Sequence, residues 1–151
     1  MDLDGYVPDF ILLFHQPIVV EIKPYTTLGE LYEDSEHAMA RINLSGWDKE
    51  ALLLGTQPFE CSPALGFQWG PTDTCLGMLR EKCPAEEGWD WNLANSFKCA
   101  ECDRQSFCHS TGFWQCRVRG CYEGNATSQT HECRMVKDFR VAGNAVQWSP
   151  R

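Results

Sequence analysis

The chain of 151 residues reads as an α+β, or mixed α/β, fold: a small mixed sheet with a β-hairpin and one helix, followed by a compact cysteine-rich module. Three observations predict it. Two β-rich runs, residues 10–14 and 17–22, are separated by the short turn His15-Gln16. A helix-start signature follows at Thr27, and five of nine cysteines fall between positions 99 and 121.

The elements follow in order. Runs rich in Phe, Ile, Leu and Val around a short polar turn predict a hairpin. Thr27-Leu28-Gly29-Glu30 has the capping-box form, in which Thr27 caps the helix and Glu30 reaches back. The helix places Leu31, Ala38 and Ile42 on one face, with Glu33, Asp34 and Glu36 outside, and ends near Leu44 to Gly46. Residues 51–54 read as a buried strand closed by Gly55 and Pro58, giving the order β-β-α-β. Residues 56–95, rich in Gly, Pro and aromatics such as Phe59, Phe67, Trp69, Trp89 and Trp91, read as a long packed connection in which only residues 75–81 look helical. Residues 96–151 carry the cysteine cluster, with strands at 104–109 and 113–116 around Ser110-Thr111-Gly112, and an apolar tail that includes Met135 and Trp148. Three units result: 1–55, 56–95 and 96–151.

Composition narrows the functional classes. Hydrophobic residues make up 43% and charged residues 23%, ordinary for a globular protein. The longest apolar runs are too short to span a bilayer, and no basic segment leading into an apolar stretch opens the chain. A cytoplasmic protein is expected. The net charge of -8 is uneven: -7 over residues 1–50, -3 over 51–98 and +2 over 99–151. The acidic front repels a phosphate backbone and the back half tolerates one, which argues against a general DNA-coating protein. An odd number of cysteines, locally clustered, reads as a metal site rather than a disulfide framework.

The front half holds a polar constellation. Asp9 follows Pro8 at the start of the first strand, and Glu21-Ile22-Lys23 ends the second. Side chains alternate along a strand, so Glu21 and Lys23 share a face, and a hairpin brings Asp9 beside them. Two carboxylates and a lysine form a hard oxygen site for Mg²⁺ or Mn²⁺ with a cation to meet developing phosphate charge. On an exposed strand the same triplet makes only a solvated cross-strand pair.

At Tyr6-Val7-Pro8-Asp9-Phe10 and Val19-Val20-Glu21-Ile22-Lys23-Pro24 the chain resembles the PD-(D/E)xK nuclease superfamily, over roughly residues 6–55, and it looks like the opening of nuclease-like domains of phage and bacterial proteins. The resemblance implies metal ligation by Asp9 and Glu21 and a catalytic role for Lys23. Family members carry a helix before the first of these strands, often with a further acidic residue, whereas only residues 1–5 precede it here. A protein partner or a second copy is then expected to supply it.

In the back half, Cys99-x2-Cys102 and Cys116-x4-Cys121 are separated by thirteen residues. Two such knuckles joined by a hairpin converge four thiolates on one tetrahedral Zn²⁺, and so small a fragment draws much of its folding free energy from the metal. This resembles a zinc ribbon. The usual second knuckle is CxxC, but Arg119 stands where that cysteine falls, which keeps Cys108 and His109 open as alternative ligands. A four-thiolate site has no open position for catalysis. Phe113, Trp114, Arg117, Arg119 and Tyr122 suit stacking and phosphate contact on nucleic acid, or pack the ribbon while the arginines stay solvated. His15, His37 and His131 read as turn or surface residues. The glycosylation-type triplets at Asn43 and Asn125 carry little weight without an export signal.

Three functional readings follow. The first is a nuclease-like, Mg²⁺- or Mn²⁺-dependent phosphodiesterase acting on nucleic acid, with structural zinc. The second is a non-catalytic acidic module on a degenerate nuclease fold that binds another protein, for a phage a host nucleic-acid-binding factor. The third is a structural zinc protein of a larger assembly.

Overall fold

The computed structural model describes residues 5–60, 74–82, 88–99, 101–109 and 115–121, with backbone alone at 60, 74, 95–98, 105, 108 and 109. Several positions singled out above lie outside the described residues: Cys61, Cys83 and Cys133, Phe67 and Trp69, Ser110 to Trp114, Tyr122, Asn125, His131 and the apolar tail. Within the described set, seven elements form an α+β fold: β1 (Phe10–Leu13), β2 (Pro17–Ile22), α1 (Leu28–Leu44), β3 (Ala51–Glu60), β4 (Thr74–Lys82), β5 (Trp89–Lys98) and β6 (Gln105–His109).

β1 and β2 form the hairpin, with Phe10 opposite Val20 and Leu13 opposite Pro17. Proline is tolerated there as the first residue of its strand. α1 then crosses over, so that β3 runs parallel to β2, Val19 beside Ala51. Both arms of the capping box are present: Thr27 Oγ1 accepts from the Glu30 N–H at 3.2 Å, and Glu30 Oε2 accepts from the Thr27 N–H at 3.2 Å. Leu28, Leu31, Ser35, Ala38 and Ile42 are the buried face, spaced three and four apart as a helical stripe requires. Ser45 caps the far end, and Gly46, at φ 71°, turns the chain out.

The remaining strands add as an antiparallel meander, giving one sheet in the order β1-β2-β3-β4-β5-β6. Its two faces separate by residue parity. Val19, Ala51, Leu53, Met78 and Leu93 pack under α1 with Leu28, Leu31, Ala38 and Ile42. Ile18, Val20, Leu52, Leu79, Ala94 and Phe107 form the core of the opposite face.

Three expectations are corrected. Residues 75–81 belong to strand β4, not a helix. Their Leu, Met, Arg and Glu are good helix formers, but β4 lies between β3 and β5, and a strand covered on both faces loses the alternation that marks an amphipathic one. Residues 56–95 hold the end of β3, β4 and most of β5, and β3 runs through Gly55 and Pro58 to Glu60, with a register shift between Leu54 and Phe59. Finally, β6 pairs with β5, Phe97 opposite Ser106, and Gln115 and Cys116 lie outside any strand. The first cysteine knuckle is therefore the turn of the β5–β6 hairpin.

Candidate functional site

The hairpin brings Asp9, Glu21 and Lys23 to one end of the sheet. One step beyond the Phe10–Val20 pair, Asp9 falls beside Glu21, and Asp9 Oδ2 accepts from the Ile22 N–H at 2.7 Å. Glu21 is 5% exposed. It faces the α1 side, as Val19 does, and both its oxygens are engaged. Oε1 accepts from Lys23 Nζ at 2.5 Å, and Oε2 accepts from the Tyr6 hydroxyl at 2.7 Å. Burial, then the hydrogen bond and charge of Glu21, push the Tyr6 hydroxyl well above the ordinary phenol range, so it stays a donor. Arg41 of α1 lies over the Tyr6 ring, 5.4 Å from its centre. The Lys23 backbone N–H donates to the Leu54 carbonyl, which ties the end of β2 to β3. Its side chain remains 27% exposed, placing the ammonium between the buried carboxylate and solvent.

Asp9 and Glu21 are the hard oxygen donors of this constellation, and both Glu21 oxygens are taken by Lys23 and Tyr6. Mg²⁺ is held by one or two carboxylates and keeps several waters. Asp9 is exposed and its Oδ1 makes no hydrogen bond among the described residues. The position also agrees with a general property of sheets with parallel strands, whose ligands bind beyond the carboxyl ends of those strands.

The second cluster is at the other edge of the sheet. Cys99, Cys102, Cys116 and Cys121 bring their sulfurs within 4.8 Å of one another and could hold a metal ion. These are the four cysteines of the two knuckles. Cys108 and His109 fall in β6, where only the backbone is described. Each knuckle is closed by its own backbone: the Cys99 N–H donates to Arg104 and the Asp103 N–H to Cys99, both at 2.9 Å, while the Gly120 N–H donates to Cys116 at 2.8 Å. Asp103 and Gly120 take left-handed φ values of 59° and 71°. Such a backbone favours Gly, with Asp tolerated.

The sulfur spacing is compatible with a tetrahedral thiolate site. Cys102 Sγ and Cys116 Sγ are 3.6 Å apart; a disulfide requires about 2.05 Å, whereas four sulfurs about 2.3 Å from a central zinc lie roughly 3.8 Å apart. Desolvation raises the Cys102 thiol, but hydrogen bonds from the Arg104 backbone and from Cys99, Cys116 and Cys121 outweigh it and hold the thiol below its ordinary value. The thiolate is the form that binds metal. Desolvation raises Cys121.

Arg117, expected as a phosphate contact or a solvated cation, is neither. It is 7% exposed. Its guanidinium is bidentate to Glu50, Nε to Oε2 at 2.7 Å and Nη2 to Oε1 at 3.0 Å, and Nη2 also reaches Glu81 Oε1 at 2.9 Å. Nη1 donates to the Phe107 carbonyl at 2.7 Å. The backbone joins in: the Arg117 N–H donates to Ser106 Oγ, and the Arg117 carbonyl accepts from the His15 N–H. His15 lies against Gly120, where a Cβ would come within 2.7 Å of the imidazole. The second knuckle is thereby fixed to the β1–β2 turn, to the start of β3, to β4 and to β6. Burial raises the Glu81 carboxyl above its ordinary value although Arg117 pulls it down. Arg119 is exposed, as a solvated arginine would be.

Sequence reasoning missed two residues. In the sequence Tyr6 stands only as part of a motif, and its donation to Glu21 depends on the hairpin register. Arg80, 1% exposed in β4, donates to the Ile42 and Trp47 carbonyls and to Asn43 Oδ1. It thus satisfies the carboxyl end of α1, a favourable place for a cation. Among the described residues its Nε has no hydrogen-bond partner, and the Trp89 ring lies 4.6 Å from its Cζ.

No protein-family model, curated protein or solved structure matches this chain. The class that fold and site define is an α+β protein with a four-cysteine cluster able to hold a metal. No helix among the described residues is long and apolar enough to cross a membrane.

Proposed function

We propose that this chain is a metal-dependent phosphodiesterase acting on nucleic acid, with a nuclease-like site at the end of β2 and a structural zinc at the four-cysteine cluster. The observation that carries the reading is the pairing of a buried Glu21 with Lys23 beside the half-engaged Asp9, all at the carboxyl end of β2. A charged pair in that position costs desolvation that an apolar pair would not, and a functional site accounts for it.

Asp9 and Glu21 would hold Mg²⁺ or Mn²⁺, which lowers the pKa of a bound water and offsets charge on the phosphate. Lys23 orients the Glu21 carboxylate and presents its ammonium at the solvent boundary, where it meets negative charge arising on a phosphate oxygen. The Tyr6 hydroxyl holds the other Glu21 oxygen in place. At the cysteine cluster, zinc would be held by thiolates alone, a closed site that contributes folding free energy rather than chemistry.

A second reading, an acidic protein-binding module, is favoured by one specific observation. Both Glu21 oxygens are already satisfied within the fold, while Glu30, Glu33, Asp34 and Glu36 lie exposed along α1. One experiment separates the two. Zinc-loaded protein is incubated with plasmid, single-stranded DNA and RNA in Mg²⁺ or Mn²⁺, beside Lys23→Ala. Metal-dependent cleavage reduced about a hundredfold or more in the variant, whose circular dichroism is unchanged, supports the phosphodiesterase. Absence of cleavage by the folded protein favours the binding module.

A further inference from the structure

The amino end of β3 borders a second candidate site, at the opposite end of the sheet from Asp9 and Glu21. A cavity of about 210 Å³ opens there between His15 and Gln16 of the β1–β2 turn, Asp48 and Lys49 ahead of β3, Trp89 at the start of β5, and the second knuckle. At a rise of about 3.3 Å per residue, the strand from Gln16 to Glu21 separates the two sites by roughly 16 Å.

Charge and shape define what the cavity accepts. Two acids line it, and each is opposed: Glu50 is held bidentate by Arg117, and Asp48 acts electrostatically on the buried Arg80. Lys49 is half-buried, and among the described residues no hydrogen bond or ion pair engages its ammonium. Among the described residues Lys49 is therefore the lining cation that no carboxylate engages, whereas Arg117 is shared by Glu50 and Glu81. The aromatic wall is Trp89, 36% exposed. Arg80 lies over the ring and is itself held by carbonyls of α1 and the turn after it, which orients the indole. The volume is below the range of about 300 Å³ and upward that takes a drug-sized ligand, and suits a single planar heterocycle.

We propose that this cavity binds one nucleotide of an unpaired nucleic-acid strand, its base against Trp89 and its phosphate at Lys49. An inorganic anion would use the lysine but not the indole, and an apolar side chain the indole but not the lysine; a nucleotide uses both. Stacking on an aromatic ring tolerates any base. A base inside a duplex cannot enter without leaving its stack, which makes the preferred ligand single-stranded. This deepens the phosphodiesterase reading and rests on it for the polymer involved, since it names the substrate as an unpaired strand.

The test is fluorescence anisotropy of a labelled oligothymidylate with the zinc-loaded chain in low salt without Mg²⁺ or Mn²⁺. The expected result is binding that weakens roughly tenfold in Lys49→Ala and in Trp89→Ala. Trp89→Phe, which keeps a ring over Arg80, retains most of the affinity, and the same strand annealed to its complement binds more weakly. Failure of the wild type to bind overturns the proposal. So does binding indifferent to Lys49→Ala and Trp89→Ala, or preference for the duplex. Cleavage in Mg²⁺ on the same proteins keeps the two readings apart. Binding that depends on Lys49 and Trp89 without any cleavage removes the catalytic reading alone, whereas cleavage with binding indifferent to both residues removes this site alone.

Discussion

Arg117 follows the metal-ligating candidate Cys116 by one residue, and its guanidinium joins Glu50 and Glu81 inside the protein. Breaking a buried pair by removing one partner leaves uncompensated charge and costs about 3–5 kcal/mol. Arg117→Ala is expected to lose stability of that order in urea denaturation at neutral pH. The loss should shrink in acid. Burial already raises the Glu81 carboxyl, and removing the arginine raises it further. A group with a raised folded pKa contributes stability that is present below its unfolded value and is lost as the pH rises through the folded one. The same denaturation series near pH 4 therefore shows a smaller difference from wild type. A constant difference across that range would contradict the assignment. At this scale the sequence was readable in part. Glu21 and Lys23 share a face by the period of two, and the four cysteines stood out by spacing. Arg117 looked like a surface cation because its burial depends on Glu50 and Glu81, remote in sequence, and Tyr6 depends on Glu21 in the same way.

Gly77 shows how an element is held. Its φ is 147°, the register of β4 against β5 shifts between Cys75 and Gly77, and a Cβ there would collide with the Leu53 carbonyl oxygen. Gly77→Ala should cost about 1–3 kcal/mol as backbone strain and close approach combine, read as a lower urea midpoint with unchanged slope. A midpoint equal to wild type would mean that β4 does not pack against β3 as described. The elements read best from sequence were those with local causes: the capping box at Thr27 and Glu30, and the hairpin around His15 and Gln16. Residues 75–81 read as a helix because they are good helix formers buried on both sides, so no period of two marks them as a strand. Gly55 reads as the end of β3 because glycine in a sequence usually marks a stop. Gly55 lies against the Phe59 ring and the Tyr25 carbonyl, a close backbone approach inside a strand rather than a stop.

At the scale of the whole molecule, one sheet links both candidate centres. The first knuckle is the β5–β6 turn, and the second is held by Arg117 and His15. A metal at the four cysteines would then stabilise the sheet as well as its own loops. A chelator strong enough to strip thiolate-bound zinc should lower the thermal midpoint of the entire chain, followed by far-ultraviolet circular dichroism. An unchanged midpoint would mean that the cysteine cluster contributes nothing to the sheet. The unity of the sheet was not legible in the sequence, because the strand pairings that create it join segments read as a connection and a separate module. The central claim concerns the other end, where Asp9 and Glu21 would hold a divalent ion. Its most direct measurement is calorimetric titration of the zinc-loaded chain with Mn²⁺, beside Asp9→Asn. One Mn²⁺ site is expected in the wild type, weakened at least tenfold in the variant while the thermal midpoint of the fold is retained. Absence of Mn²⁺ binding in the wild type, or equal binding by both proteins, would contradict it.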